Sequence, residues 1–431
     1  MAVTTSVITD PWPAPTASGP VDADVRLPGS KSATNRALLL AALSERPAVV
    51  SGPMRARDSA LMVGGLRTLG VEIDDSDAQA WRVTGGAVTG GGRIDVGLAG
   101  TVMRFLPPVA ALGTGPTRFF GDKGVEKRPM GMLIDGLRQL GIEVDDGCLG
   151  ALPLTVTGRG AVTGREVSID ASDSSQFLSA LLLAAPRFAN GLVLRHTGEI
   201  LPSAPHLAMT VQMLRAAGAQ VDDSQPNTWE VAPGPLTAGS IGIEPDLSNA
   251  APFLAAALVT GGTVRVPAWP LESTQPGAEL PALLTAMGAT VTLNANGLAV
   301  TGGRLRGIDA DLRDVSELTP AIAALAALAD GPSTLRGVAH IRGHETDRLA
   351  ALRTEINALG GDVKETADGL VINPKPLHGG VFSTYADHRM ATAAAVLGLA
   401  VEGVLIENVA TTSKTLPEFT GLWTAMLGGG S

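Results

Sequence analysis

Leu66–Gly70 reads LRTLG, and the same pattern returns along the chain as LRQLG at 137–141, LRAAG at 214–218, LTAMG at 284–288, INALG at 356–360 and TAMLG at 424–428. Each motif closes an apolar, helix-like segment on a glycine, the residue that enters the left-handed region without a Cβ penalty and so ends helices. Successive glycines lie 68 to 77 residues apart, which marks one structural unit repeated six times. After each of the first five comes a short strand-like pair, such as VEIDD followed by WRVTG. Upstream, each unit has two helix starts. The first-helix starts are GSKSATN, GLAGTVM, ASDSSQF, DLSNAAP, VSELTPA and YADHRMA. The second-helix starts are RARDSAL, EKRPMGM, LPSAPHL, STQPGAE, GHETDRL and TSKTLPE, and the Ser, Asp, Thr and Pro in both sets suit N-cap and first-turn positions. A unit therefore reads strand–helix–strand–helix–strand–strand. Three units to a domain predict an α/β chain of two similar domains, changing over near residues 235–241.

The sixth unit ends at Gly428 with only GGS after it, so its closing strand pair is missing. Two extended segments at the other end, WPAPTA (Trp12 to Ala17) and VDADVRL (Val21 to Leu27), have no assigned partner. Open sheet edges leave backbone groups unpaired, so the N-terminus is expected to join the C-terminal domain. This gives domains of 28–238 and of 1–27 with 239–431, linked by two crossings of the chain.

Composition narrows the function classes. With 431 residues, 45% hydrophobic, the chain can fill two cores, while aromatics at 3% leave little to stack on bases. A net charge of −10 argues against nucleic acid and anionic membrane as partners, so any anion site must be a local gathering of cations. The lone Cys148 excludes a disulfide framework and is expected in a loop or core. The opening MAVTTSVITDPWPAP lacks a basic region followed by an apolar core, and runs such as AIAALAALA are too short to span a bilayer. A cytoplasmic enzyme is expected.

The helix starts carry the cations. Lys31, Arg36, Arg128, Arg348, Arg389 and Lys414 all stand at or beside them, where unpaired N–H groups already favour anions. If all units point the same way, these six would face one cleft and balance two ligands that each bear a phosphate and a carboxylate.

The motifs LPGSKSATNRALLLAAL, AGTVMRFL, KRPMGMLIDGLRQLG, SSQFLSALLL, HETDRLAALRTEI, YADHRMA and TSKTLPEF, running in order from Leu27, together resemble the EPSP synthase family (3-phosphoshikimate 1-carboxyvinyltransferases). The resemblance implies an inverse α/β barrel of three βαβαββ units per domain, with substrates bound in a cleft between the domains. It implies transfer of the enolpyruvyl group of phosphoenolpyruvate to the 5-hydroxyl of shikimate 3-phosphate, with release of phosphate. No cofactor and no metal are implied. Lys31 would touch both substrates. Ser32, Arg36, Ser174, Ser175, Gln176, Ser203, Glu317, His340 and His344 would face shikimate 3-phosphate. Gly100, Arg128, Gln176, Arg348, Arg389 and Lys414 would face phosphoenolpyruvate, where arginine forks suit its oxygens. Glu317 and Glu345 would be the acid–base pair, with Glu317 taking the hydroxyl proton and Glu345 serving C3. Glyphosate is the implied inhibitor, and a monomer is expected.

Several positions depart from the family pattern. Leu98 stands where Asn is frequent and Glu317 where Asp is; His340 and His344 replace Asn and Lys, and His344 makes the charge there depend on pH. HIRGHE superficially suggests zinc, but the sequence runs H-E-T-D-R and lacks the second histidine of H-E-x-x-H. Asp387 is expected to orient Arg389, and Arg104 to be structural. Taken by itself HETDR also suits a helix cap with first-turn acids, and the resemblance is what assigns Glu345 to catalysis. The rival enzyme is UDP-N-acetylglucosamine enolpyruvyl transferase, whose loop before the RP helix carries Cys or Asp; here GDKGVEKRP offers Asp122 and no Cys. A non-catalytic phosphometabolite-binding protein would keep the cations and lose the acids.

Overall fold

A computed structural model describes residues 10–428; the first nine residues of the leading segment lie outside it. The described residues hold twelve α-helices, two for each predicted repeat. Five sheets have four strands and one has three. In the second repeat, Gly92–Asp95 lies parallel to Thr114–Phe120, which pairs antiparallel with Leu154–Arg159, and Glu143–Asp145 closes the edge. The other four-stranded sheets keep this order.

The six glycines do what their position requires. Gly70, Gly141, Gly218, Gly288, Gly360 and Gly428 all have positive φ, from +77° to +109°. In the first five the following N–H reaches back to the helix, as Val71 does to the Leu66 carbonyl at 3.1 Å, which completes a Schellman cap. The N-termini are less uniform than their sequences suggest. Among the described residues, only Ser30, Asp347 and Asp387 at α-helix N-caps accept a side-chain cap bond, from the N–H of Ala33, Ala350 and Arg389 respectively.

The two helices of a repeat differ in burial. Every residue from Phe177 to Ala184 in the helix Gln176–Ala184 is buried, as is every residue from Thr34 to Ala42 in Lys31–Ala42. Such helices are buried on nearly every side, Lys31–Ala42 including the polar Thr34, Asn35 and Arg36, and pack on one another within their unit. The second helices bury one stripe, as Gly131–Gln139 does with Leu133, Ile134 and Leu137.

The described residues fall into two compact units, 28–245 and, together, 10–27 with 246–428, each with its own core of Leu, Val and Ala. The changeover therefore comes after Pro245 instead of near 238. Ser240–Gly242 is the reason, because it pairs parallel with Val49–Ser51 and supplies the first repeat with its leading strand. The N-terminal segments split their task. Trp12–Pro13 pairs antiparallel with Leu405–Ile406 and closes the sixth sheet with one strand where two were expected. Asp22–Asp24 instead lies parallel to Thr263–Arg265 and leads the fourth repeat.

Deleting residues 1–20 removes the Trp12–Pro13 strand and the bonds from the Ala14 and Ala17 N–H groups to Val404 and Leu399. Amide exchange of the truncated protein should show protection lost in 246–428 and kept in 28–245. Loss confined to 28–245 would refute the pairing.

Candidate functional site

In unit 28–245 the predicted residues form three contacting groups and one ion pair. The helix Gly100–Ala110 begins against Arg128 and Gln176: a Cβ built on Gly100 would lie 3.1 Å from both Arg128 Nη2 and Gln176 Oε1. Arg128 is 7% exposed and donates through Nη1 to the Leu98 carbonyl at 2.5 Å. A backbone oxygen serves here, so the Leu98 side chain can differ from the family's Asn without touching this bond. Arg104 donates to Gln176 Oε1 at 2.9 Å, to Ser174 Oγ at 3.4 Å and to the Pro129 carbonyl at 3.2 Å, and its guanidinium lies over the Phe177 ring. It thereby ties the helix start at Ser174 and Gln176 to the loop at Pro129.

Ser175 Oγ donates to the Ser203 carbonyl at 3.5 Å, and Ser203 itself takes a left-handed φ of +53° at its helix start. Lys31 Nζ stands 3.6 Å from Asp58 Oδ2, a carboxylate 3% exposed. Ser32 offers its carbonyl to Arg36. Arg36 is 1% exposed and is held by Thr210 Oγ1 at 2.7 Å, the Ser32 and His206 carbonyls, and Ser179 Oγ, with the Phe105 ring beneath it. In this structure Arg36 braces three helices and is not presented as a surface cation.

The other unit gathers its predicted residues more tightly. Glu345, with 9% side-chain exposure, pairs through one oxygen with Lys414 Nζ and through the other with Arg348 Nη2 at 2.9 Å. Arg348 is 3% exposed and forks onto Asp387, Nε to Oδ2 at 2.7 Å and Nη2 to Oδ1 at 3.1 Å. Burial opposes its charge, yet the Asp387 and Glu345 carboxylates outweigh that and hold Arg348 more firmly protonated than usual. Its Nη1 lies 3.1 Å from His344 Nδ1. Arg389 donates to the Ser248 carbonyl at 2.8 Å and faces Glu317 at 3.6 Å. His340 Nε2 bonds Ser316 Oγ at 2.9 Å, with the His344 ring edge-on to it.

Two expectations change. Asp387 was expected to orient Arg389; it takes that residue's backbone N–H at 2.8 Å but gives its two-pronged side-chain bond to Arg348. The six cations are also less bare than a list of cations suggests, since Arg348, Lys414 and Arg389 each meet Glu345, Asp387 or Glu317 and Lys31 meets Asp58. Asp58 stands in the helix start RARDSAL, but nothing in that motif marks it as the partner of Lys31. No group of three metal-ligating side chains occurs among the described residues, and none of the described helices is long and apolar enough to cross a membrane.

His340 has a calculable consequence. Burial, with Arg313 and Arg348 adding repulsion, pushes its proton affinity down to about 4, so it is neutral at pH 7. A depressed histidine contributes stability that is complete above its unfolded value near 6.5 and is lost as pH falls towards 4. Between pH 7 and 4.5 the wild type should therefore lose about 2 kcal/mol more than His340→Gln in denaturant unfolding. Parallel losses would show that burial does not suppress this proton.

Comparison with known proteins supplies the family. A sequence model of the EPSP synthase (3-phosphoshikimate 1-carboxyvinyltransferase) family matches residues 15–423. Two solved structures of EPSP synthase from Acinetobacter baumannii superpose with TM-scores of 0.79 and 0.78; each is 25% identical, over 96% of this chain and 97% of theirs. The chain thus belongs to the EPSP synthase family, whose members transfer the enolpyruvyl group of phosphoenolpyruvate to shikimate 3-phosphate in the shikimate pathway.

Proposed function

We propose that the enolpyruvyl transfer is divided between the two residue sets. Gln176, Ser174, Ser175 and Ser203, with Lys31, Ser32, Glu317, His340 and His344, serve shikimate 3-phosphate. Lys31 also serves phosphoenolpyruvate, together with Gly100, Arg128, Gln176, Arg348, Arg389 and Lys414. Arg36 contributes by bracing the start of the Lys31 helix. The observation that carries this reading is Glu345 held between Lys414 and Arg348. A dianionic phosphate and a carboxylate compete with Glu345 for those cations. Once they are turned to substrate, Glu345 gives up both ion pairs and can carry a proton to C3. Glu317, beside Arg389, takes the proton of the 5-hydroxyl as its oxygen bonds C2. The C–O bond to phosphate then breaks, the phosphate leaving with the proton held by Glu317 while Glu345 takes back a methyl proton, and the C–H electron pair forms the double bond of the enol ether. The cations stabilise charge on the departing phosphate throughout. We further propose that the protein acts as a cytoplasmic monomer.

Phosphate release that requires both phosphoenolpyruvate and shikimate 3-phosphate, and is not supported by UDP-N-acetylglucosamine, tests the substrate assignment. Glu345→Gln should keep shikimate 3-phosphate binding and lose about 10²–10⁴-fold in turnover. Turnover within a few-fold of wild type would leave Glu345 as a helix-cap residue only.

Glyphosate is proposed to compete with phosphoenolpyruvate beside Gly100. A methyl group at this position presses on Arg128 and Gln176, both 3.1 Å from the added carbon. Gly100→Ala should therefore raise the inhibitor concentration for half inhibition about tenfold, a loss of about 1.4 kcal/mol in binding. Unchanged inhibition would sink the idea.

A further inference from the structure

Immediately before Asp387 the backbone does something its residues disfavour. Tyr385 and Ala386 have φ of +55° and +57°, and the Asp387 N–H donates to the Thr384 carbonyl at 2.9 Å. Two positive φ values inside a four-residue hydrogen-bonded turn are the type I′ pattern, which strongly prefers Asn and Gly at its centre. Tyr and Ala carry Cβ atoms that make this conformation costly, and such strain persists only where surrounding contacts over-determine it.

Those contacts are present. Glu355 is 6% exposed on the helix Arg348–Ala358, two turns from Arg348. Its Oε1 accepts the Tyr385 hydroxyl at 2.6 Å and its Oε2 accepts the Ser383 N–H at 2.9 Å, so one carboxylate pins the turn on both sides of Thr384. The Thr411 hydroxyl donates to the Ala386 carbonyl at 2.7 Å from the short helix that ends at Lys414. Tyr385 keeps its proton at all working pH values, because burial and the Glu355 oxygen push its loss up to about 12. The hydroxyl is therefore always available as the donor.

We propose that the Tyr385–Glu355 hydrogen bond is a latch that holds the strained turn and so aims Asp387 at Arg348, making Tyr385 and Glu355 positioning residues for phosphoenolpyruvate binding. The latch closes a loop of contacts within one unit: Arg348 and Glu355 ride the same helix, and Asp387 and Tyr385 the same turn. A turn released from Glu355 can relax its two left-handed residues only by swinging Asp387, which carries the fork of Arg348 with it. The proposal rests on the reading that Arg348 binds phosphoenolpyruvate.

Three latch variants and one control test it, with both substrates varied in steady-state kinetics and thermal unfolding measured beside them. Tyr385→Phe removes only the hydroxyl, at a half-exposed ring where folding is not at stake. Glu355→Leu removes the acceptor, and Glu355→Gln keeps an acceptor oxygen. Tyr385→Phe and Glu355→Leu should raise KM for phosphoenolpyruvate about five- to tenfold, with KM for shikimate 3-phosphate and the melting temperature nearly unchanged. Glu355→Gln should remain close to wild type. Unchanged KM for phosphoenolpyruvate in Tyr385→Phe would overturn the latch, as would a parallel rise of both KM values with a falling melting temperature. Arg348→Lys separates the two layers, because Lys cannot reproduce the fork. A raised phosphoenolpyruvate KM in Arg348→Lys with none in Tyr385→Phe rejects the latch alone. No effect in Arg348→Lys rejects the binding assignment and the latch together.

Discussion

A strand that leads a βαβ unit must find a parallel neighbour, and in this chain two such strands find theirs far away in sequence. Asp22–Asp24 precedes the helix Lys31–Ala42 yet pairs with Thr263–Arg265, while Ser240–Gly242 precedes the helix Ala251–Thr260 yet pairs with Val49–Ser51. Each unit is completed by the segment that leads into the other. The exchange reaches the site directly: the Ser30 N–H donates to the Glu244 carbonyl at 2.8 Å, and Ser30 caps the helix on which Lys31 sits. Gly29 bridges Pro245 in the same place, where a Cβ would come within 2.1 Å of the Gly52 carbonyl oxygen. Unpaired backbone groups inside a protein are costly, so the strand that satisfies them also fixes where the helix begins. The position of Lys31 therefore depends on residues more than two hundred places downstream.

Placing functional groups at the starts of buried helices has an electrostatic cost as well as a geometric benefit. Arg348, Arg128 and Arg36 lie almost wholly out of solvent, and a buried charge survives only when paired and hydrogen-bonded. Each of the three solves this differently. Arg348 takes two carboxylates, Arg128 takes a backbone carbonyl, and Arg36 takes hydroxyls and carbonyls from neighbouring helices. Cations matched by acids give up binding strength towards an anionic ligand, but they are held in a fixed geometry before it arrives. Fixed geometry limits reorganisation during reaction, which is where electrostatic catalysis gains most. Two of the acids that match them, Glu345 and Glu317, are the ones given proton transfers in the proposed reaction.

The site's departures from the family pattern acquire meaning only with their neighbours in view. His340 is neutral beside Ser316, so replacing Asn with His there adds no charge at pH 7. His344 presents Nδ1 to Arg348 and joins the same network as Glu345. Neither forms part of a metal-binding group among the described residues.

The sequence by itself determined the repeat. Six glycines at near-equal spacing required six helix ends, because a left-handed residue after a helix is a local backbone demand that needs no distant partner. It also pointed to borrowed strands, since the extended segments before Lys31 have no partner assigned within the repeats. Which strand went where was a tertiary decision. Trp12–Pro13 and Asp22–Asp24 have similar extended character, and their separate destinations depend on which open edge each can reach. The cations stand out in the sequence because they recur at helix starts; the pairing of Lys31 with Asp58 and of Arg348 with Asp387 does not. Asp58, and Asp387 as the clamp of Arg348, act across gaps of 27 and 39 residues, and ion pairing depends on distance in space, which spacing in sequence does not encode.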